Sequence, residues 1–300
     1  MSSVKDIRQR IGSGKNVRKI TRAMEMVAAA RLRRAEQRIE ALRPYADAIR
    51  TMTRRASEAA ENIPNLPILQ EREDITKVGL LLVTGDRGLA GPFNSQIVRA
   101  GNRRNAELRG ESKEILWYAA GRRGVSSLQF RKFEMAGGYT GFTDRPAYSD
   151  ARKIADDLTA AYIDGKVDRV EVLYNGYISA MRQEVRHETL LPLQQADVLG
   201  GDEDEESDEE DQHSRALWIY EPDPDEILAR LVPDYVEISI YRALLESTAS
   251  EHGARMTAMR SASDNANELI DDLTLEANRQ RQAEITQEIM EVVAGAEGLR

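Results

Sequence analysis

Apolar residues near the start of the chain recur at steps of three and four: Val4, Ile7 and Ile11, then Val17, Ile20, Met24 and Val27, then Ile39, Leu42, Ala46 and Ile49. This spacing predicts one amphipathic helix over most of residues 1–58. Gly12, Gly14 and Pro44 interrupt the pattern and lower intrinsic helix stability, so the helix needs a partner to override them. At about 1.5 Å per residue it would span roughly 80 Å. The far end of the chain repeats the pattern. After Pro233, Ile238, Tyr241, Leu245, Thr248 and His252 step by three and four, and Met256, Met259, Ala262, Ala266, Leu269 and Leu273 resume after one extra four-residue step. Such a stutter locally unwinds a left-handed supercoil. With no proline from Asp234 to Ala294, this second helix could run roughly 90 Å. Two long helices at opposite ends of the chain predict an antiparallel coiled coil.

The middle has a different period. Beyond the linker ENIPNLP at Glu61 to Pro67, KVGLLLVTGDRG from Lys77 reads as a buried strand ending in a glycine turn. Strands EILWYAAG from Glu114 and RVEVLYNG from Arg169 alternate with helical stretches near Asn94 to Leu108 and Ser149 to Ile163. Alternation of this kind predicts a small, open, Rossmann-like α/β sheet. The fold class is therefore α/β, with the coiled coil added. Three regions follow: an N-terminal coiled-coil helix over 1–60, a central α/β domain over 61–220, and a C-terminal coiled-coil helix over 221–300.

Charge changes this picture more than composition does. The chain carries a net −9, yet residues 1–58 hold fifteen Lys or Arg against six acids, while Asp202 to Asp211 places nine acids in ten positions. The acidic run has no apolar residue to bury, which predicts a solvated, disordered loop. The basic helix offers one aromatic, Tyr45, for base stacking, and the rest of the chain repels phosphates, which argues against nucleic-acid binding. With no cysteine, disulfides, thiolate metal sites and thiol switching are excluded, and a reducing compartment fits. No stretch approaches eighteen apolar residues, and no secretory signal opens the chain.

Most candidate chemistry fails on spacing. GSGK at Gly12 to Lys15 resembles half a P-loop, but Gln9 replaces the earlier glycine, Asn16 the hydroxyl, and no strand precedes it. GDRGLAG at Gly85 to Gly91 follows a strand, so its amides could form an anion nest, though Arg87 breaks the GxGxxG spacing and a packing turn explains it better. His187, His213 and His252 lack companion ligands at metal or triad spacing. An assembly element, in which a stiff hairpin meets carboxylates of other subunits, then outweighs an enzyme.

Longer blocks carry a resemblance. IRQRIGSGKNVRKITRAMEMVAAARLRRA from Ile7 to Ala35 resembles the amino-terminal helix of the gamma-subunit family of F-type ATP synthases. TGDRGLAGPFN from Thr84 resembles that family's SDRGLCGGFN turn, with Ala90 and Pro92 as departures. ESTASEHGARMTAMRSASDNANELI from Glu246 and RQAEITQEIMEVVAGA from Arg281 resemble its carboxyl-terminal helix, with Gly298 a further departure. The four blocks are co-linear over essentially the whole chain.

The resemblance implies a central rotor shaft without catalysis or cofactor of its own, in a ring of alpha and beta subunits that do the nucleotide chemistry. It implies an epsilon subunit and a membrane c-ring as further partners, and a peripheral place on the cytoplasmic face of a bacterial plasma membrane. By the same resemblance, Met24 couples rotation to the beta subunits, and Arg255, Gln282, Thr286 and Glu288 form the beta-subunit catch. Tyr220 and Glu221 match the foot on the rotor ring and epsilon subunit. Ala28, Ala29, Ala30, Ala262 and Ala266 would let the two helices approach closely. The acidic loop 202–211 lies where plastid relatives carry a cysteine-containing regulatory loop, a control that this chain cannot use.

Overall fold

The computed structural model describes residues 4–59, 67–69, 72, 74–193 and 224–297. The acidic run, His213, Tyr220 and Glu221 lie outside them. The chain divides into two compact units, one formed by residues 1–30 with 255–300 and the other by residues 31–254. Helix α1 spans Val4–Ala59 and helix α5 spans Pro224–Glu297, so each long helix contributes a stretch to both units.

In the first unit the two helices run antiparallel. Arg18 Nη1 donates to Asn267 Oδ1 at 2.9 Å, Arg260 Nε to Glu25 Oε1 at 3.0 Å, and a Cβ on Gly14 would lie 3.1 Å from Ile270. The inward face of α1 is Ile7, Gly14, Thr21, Glu25 and Ala28. Ile7 belongs to the apolar stripe seen in the sequence, but at Thr21, Glu25 and Ala28 the inward register is one residue beyond that stripe. Val17, Ile20 and Val27 are 50%, 60% and 53% exposed. On α5 the inward residues are Met259, Ser263, Ala266, Ile270 and Leu273, while Leu269 turns outward. The physical reason is close approach. A seam of Gly, Ala, Ser and Thr lets backbones come near one another, and larger side chains would hold them apart. Of the small residues expected in the seam, Ala28 and Ala266 are buried, Ala29 and Ala262 half-buried, and Ala30 exposed. Glu25 is the polar lock of this seam. Arg260 and then Arg22 outweigh its desolvation and hold its carboxyl below the usual carboxylate range.

Helix α1 runs without a break through Gly12, Gly14 and Pro44; Gly14 is buried against Ile270, while Gly12 and Pro44 are exposed. Helix α5 begins at Pro224, within the expected C-terminal region, and passes through Pro233 without a break. Pro233 itself is exposed.

The second unit holds a five-stranded sheet: β1 (Lys77–Val83), β2 (Glu114–Ala120), β3 (Met135–Tyr139), β4 (Arg169–Tyr177) and β5 (Gln183–Leu191), in the order β3-β2-β1-β4-β5. The first four are parallel and β5 is antiparallel at the edge. Helices α2 (Phe93–Gly110) and α3 (Arg122–Phe130) cover one face, over Leu80, Leu82, Trp117 and Leu173. Helix α4 (Tyr148–Ile163), the turn Pro67–Leu69 and residues 232–244 of α5 cover the other, over Leu81, Val83, Val172 and Tyr174. Both faces of β1 are therefore buried, which explains its near-continuous aliphatic run. The expected strands and helices are all present. Helix α3 and strands β3 and β5 come in addition to the elements that the pattern predicts.

Candidate functional site

In a sheet of this order, ligands bind outside the carboxyl ends of the strands where the chain reverses direction, here between β1 and β4. The turn after β1 sits at that point, and hydrogen bonds close it from every side. The Thr84 hydroxyl donates to Ala120 O at 3.0 Å and accepts from Gly124 N at 2.8 Å. Gly85 N donates to Asn94 Oδ1 at 2.8 Å. Asp86 accepts from Arg122 N and Gly141 N, both at 2.9 Å, and from the amide and hydroxyl of Thr143 at 3.1 and 3.0 Å. Burial raises the Asp86 pKa, but these donors outweigh it and hold the carboxyl below its ordinary value.

Helix α5 then fills the crevice. The carboxylate of Glu251, itself buried, lies 2.7 Å from where a Cβ on Gly85 would stand. One turn earlier Thr248 donates to Thr143 O at 2.9 Å, and from β4 the amide of Asn175 donates to Phe93 O at 3.2 Å. An acidic side chain of the protein itself lies where this fold would otherwise admit an anionic ligand. The glycine turn is thus a packing device, and GSGK lies within helix α1 with no loop to cradle phosphate.

The remaining candidates lie on the helices. Met24 is half-buried at the edge of the seam, beside the exposed stripe of Val17, Ile20 and Val27. Gln282, Thr286 and Glu288 are exposed on α5, with the Thr286 hydroxyl donating to Gln282 O at 2.9 Å. Arg255 is buried, 8% exposed, and stands apart from these three by roughly 40 Å of helical rise. One helix does not bring Arg255 to the other three. Beyond Arg281 every residue through Val292 is exposed, including Ile285, Ile289, Met290 and Val292. They lie in the block RQAEITQEIMEVVAGA, and exposed apolar side chains on a stiff helix are a signal of a partner. His187 binds Glu171 at 2.7 Å, and His252 is buried 3.9 Å from Asp144.

A family model described as ATP synthase matches residues 3–299. The ATP synthase gamma chain of Rubrobacter xylanophilus is 42% identical over 299 residues, covering 100% of this chain and 99% of that protein. That of Kineococcus radiotolerans is 42% identical over 297 residues, covering 97% and 95%. The chain belongs to the ATP synthase gamma-chain family. Among solved structures, a chain of the Tetrahymena thermophila mitochondrial ATP synthase central stalk and c-ring is 25% identical at a TM-score of 0.57, covering 81% of this chain and 99% of that one. A chain of the Euglena gracilis mitochondrial ATP synthase shares the fold at a TM-score of 0.66 and 16% identity, covering 99% and 94%. For a gamma-chain family member, two helices joined through a small-residue seam and an α/β unit with a filled crevice are the features to explain. No helix among the described residues is long and apolar enough to cross a membrane.

Proposed function

We propose that this chain is the central rotor shaft of an F-type ATP synthase, coupling proton-driven rotation of the membrane ring to ATP synthesis on the beta subunits, with no catalysis of its own. The observation that supports it best is the inversion of the seam. Small and polar residues of α1 face α5, while Val17, Ile20 and Val27 face outward at half exposure or more. A helix that wastes its bulky apolar positions on water is costly, about 25 cal/mol per Å²; a helix that offers them to a surrounding ring is not. One shaft inside three equivalent alpha–beta pairs presents a different face to each, so turning it changes their conformations in succession.

In this reading residues 1–60 and 221–300 are the shaft and 61–220 the α/β domain. Met24 rides at the boundary of seam and outer stripe, where a beta subunit would press. Gln282, Thr286 and Glu288 form the distal catch on the exposed end of α5, and Arg255 acts at a separate height. Tyr220 and Glu221 form the foot on the c-ring and epsilon subunit. The filled crevice of the α/β unit supports a non-catalytic role. The complex would lie at the cytoplasmic face of a bacterial plasma membrane.

Met24→Lys tests the coupling role. A long cation at this boundary would strengthen contacts with partner carboxylates that must be remade at every step, and an exposed pair of this kind is ordinarily worth only about 0–1 kcal/mol. Assembly should survive, and in membrane vesicles ATP-driven proton pumping should fall more than ATP hydrolysis. Equal loss of both activities in an intact complex would make Met24 a seam residue only. Tagged chain purified from native membranes should bring alpha, beta and epsilon subunits with it.

A further inference from the structure

A second concavity in the α/β unit has no part in the shaft reading. Arg31, Arg34 and Arg38 stand on one face of α1, spaced three and four apart, and Arg145 faces them from the loop before α4. Together with Asp144 and a floor made by α5, they line a cavity of about 440 Å³. The floor includes His252, which is 1% exposed, and the buried Thr248. Ala35, buried between the arginines, leaves the hollow open.

Four guanidinium groups share this cavity with a single carboxylate. Asp144 is already engaged, with Oδ2 bonded to Arg31 and 3.8 Å from Arg87. Arg34, Arg38 and Arg145 form no ion pair among the described residues. Like charges held in one hollow repel, and the repulsion falls when an anion enters. A concave, positively lined site also focuses the field and concentrates anions. Guanidinium groups present paired N–H donors in a rigid fork that matches phosphate oxygens. The Asp144 contact fixes Arg31 in its orientation, so part of the ordering cost is met before a ligand arrives. A volume within the roughly 300–1,000 Å³ of small-molecule sites exceeds what one monovalent ion needs.

We propose that this cavity is a binding site for a phosphate-type oxyanion, with inorganic pyrophosphate fitting its charge and size better than orthophosphate. The site adjoins the crevice at Gly85, where Glu251 excludes an anion, with Thr248 standing between the two, and anion binding there does not depend on the rotor function.

Isothermal titration calorimetry of the full-length chain with inorganic pyrophosphate, at fixed ionic strength, tests the proposal. One saturable site per chain is expected, with orthophosphate competing for it at lower affinity. In the double variant Arg34→Gln/Arg38→Gln, binding should weaken by about tenfold or more, as expected for loss of charge-assisted hydrogen bonds. Both side chains project from the helix surface, and an unchanged far-ultraviolet circular dichroism spectrum would confirm that the variant folds. Arg33→Gln, exposed on α1 and outside the cavity, should leave affinity unchanged. The proposal fails if no saturable binding occurs at millimolar pyrophosphate, or if Arg33→Gln weakens it as much as the double variant. It also fails if the double variant binds as tightly as the parent.

Discussion

Replacing Gly121 by alanine should cost about 4 kcal/mol or more of folding stability, in the range reserved for a backbone position that admits no side chain. Gly121 has a φ of +100° at the end of β2, where the backbone must turn sharply into α3. A Cβ there would lie 2.1 Å from the carbonyl oxygen of Thr84 and 2.6 Å from its carbonyl carbon. The neighbour that would have to yield is backbone, and it is fixed. Thr84 N donates to Ala120 O at 2.8 Å and Gly121 N to Tyr139 O at 2.7 Å, so moving either one opens the junction of β1, β2 and β3. For a unit of this size the melting temperature should fall by roughly 10 °C. Gly141→Ala provides the control. Its φ is +97°, but nothing lies within 4 Å of the added Cβ, so only the conformational cost of about 1–2 kcal/mol applies. Equal losses in the two variants would show that dihedral strain, and not the collision with Thr84, sets the requirement for glycine at 121.

The same contrast between contact and pattern explains what was legible in the sequence. Strands β1, β2 and β4 carry aliphatic and aromatic runs long enough to be seen, because both faces of a central parallel strand are buried. Strand β5 was invisible because QEVRHETLL is polar along most of an edge. Its pairing to β4 is fixed by backbone register and by β4 partners such as Glu171, bonded to His187, and Tyr174, whose hydroxyl donates to Glu188, which no local period reveals. Strand β3, MAGGY, has two glycines and little side chain to read. Helix α3 is only nine residues long and contains Gly124, whose amide is needed by Thr84.

On the long helices the period is legible, and most of the α5 positions it marks, Leu245, Met259, Ala266 and Leu273 among them, are buried, whereas on α1 Ile7 and Ile49 are buried but Val17, Ile20 and Val27 are exposed. Bulky residues dominate any search for hydrophobic spacing, which draws attention to the stripe of Val17, Ile20, Met24 and Val27. The seam is filled instead by Gly14, Thr21, Glu25 and Ala28, which such a search discounts. In the shaft reading proposed above, the exposed stripe is the edge offered to the surrounding ring. The cavity between Arg31 and Arg145 had a similar fate. Three of its arginines share a helical face in the sequence, but Arg145 and the buried His252 come from segments more than a hundred residues away. Only the fold makes them one site.

Glu171→Gln should lower stability at neutral pH by about 3 kcal/mol, by breaking a buried charge pair. Glu171 is 1% exposed on β4 and accepts from Arg104 through both oxygens, at 2.8 and 2.7 Å, and from His187 at 2.7 Å. These contacts tie α2 and β5 to the centre of the sheet. Burial alone would raise its pKa, yet Arg104 and His187 reverse the sign and hold the carboxyl down to about 2. The glutamine variant keeps the shape and removes the charge, leaving Arg104 without its buried counterion. The pH dependence has a definite direction. A carboxyl whose pKa is lower in the folded chain than in the unfolded one contributes its full stabilisation above the unfolded value, about 4.3, and loses it as pH falls toward the folded value. The parent should therefore lose stability steeply between about pH 5 and pH 2, and Glu171→Gln should lose less over that interval because its share is already gone. Urea midpoints at pH 7 and pH 3 measure both effects. If the gap between parent and variant is as wide at pH 3 as at pH 7, the stabilisation comes from packing and hydrogen-bond shape, and the charge of Glu171 contributes nothing.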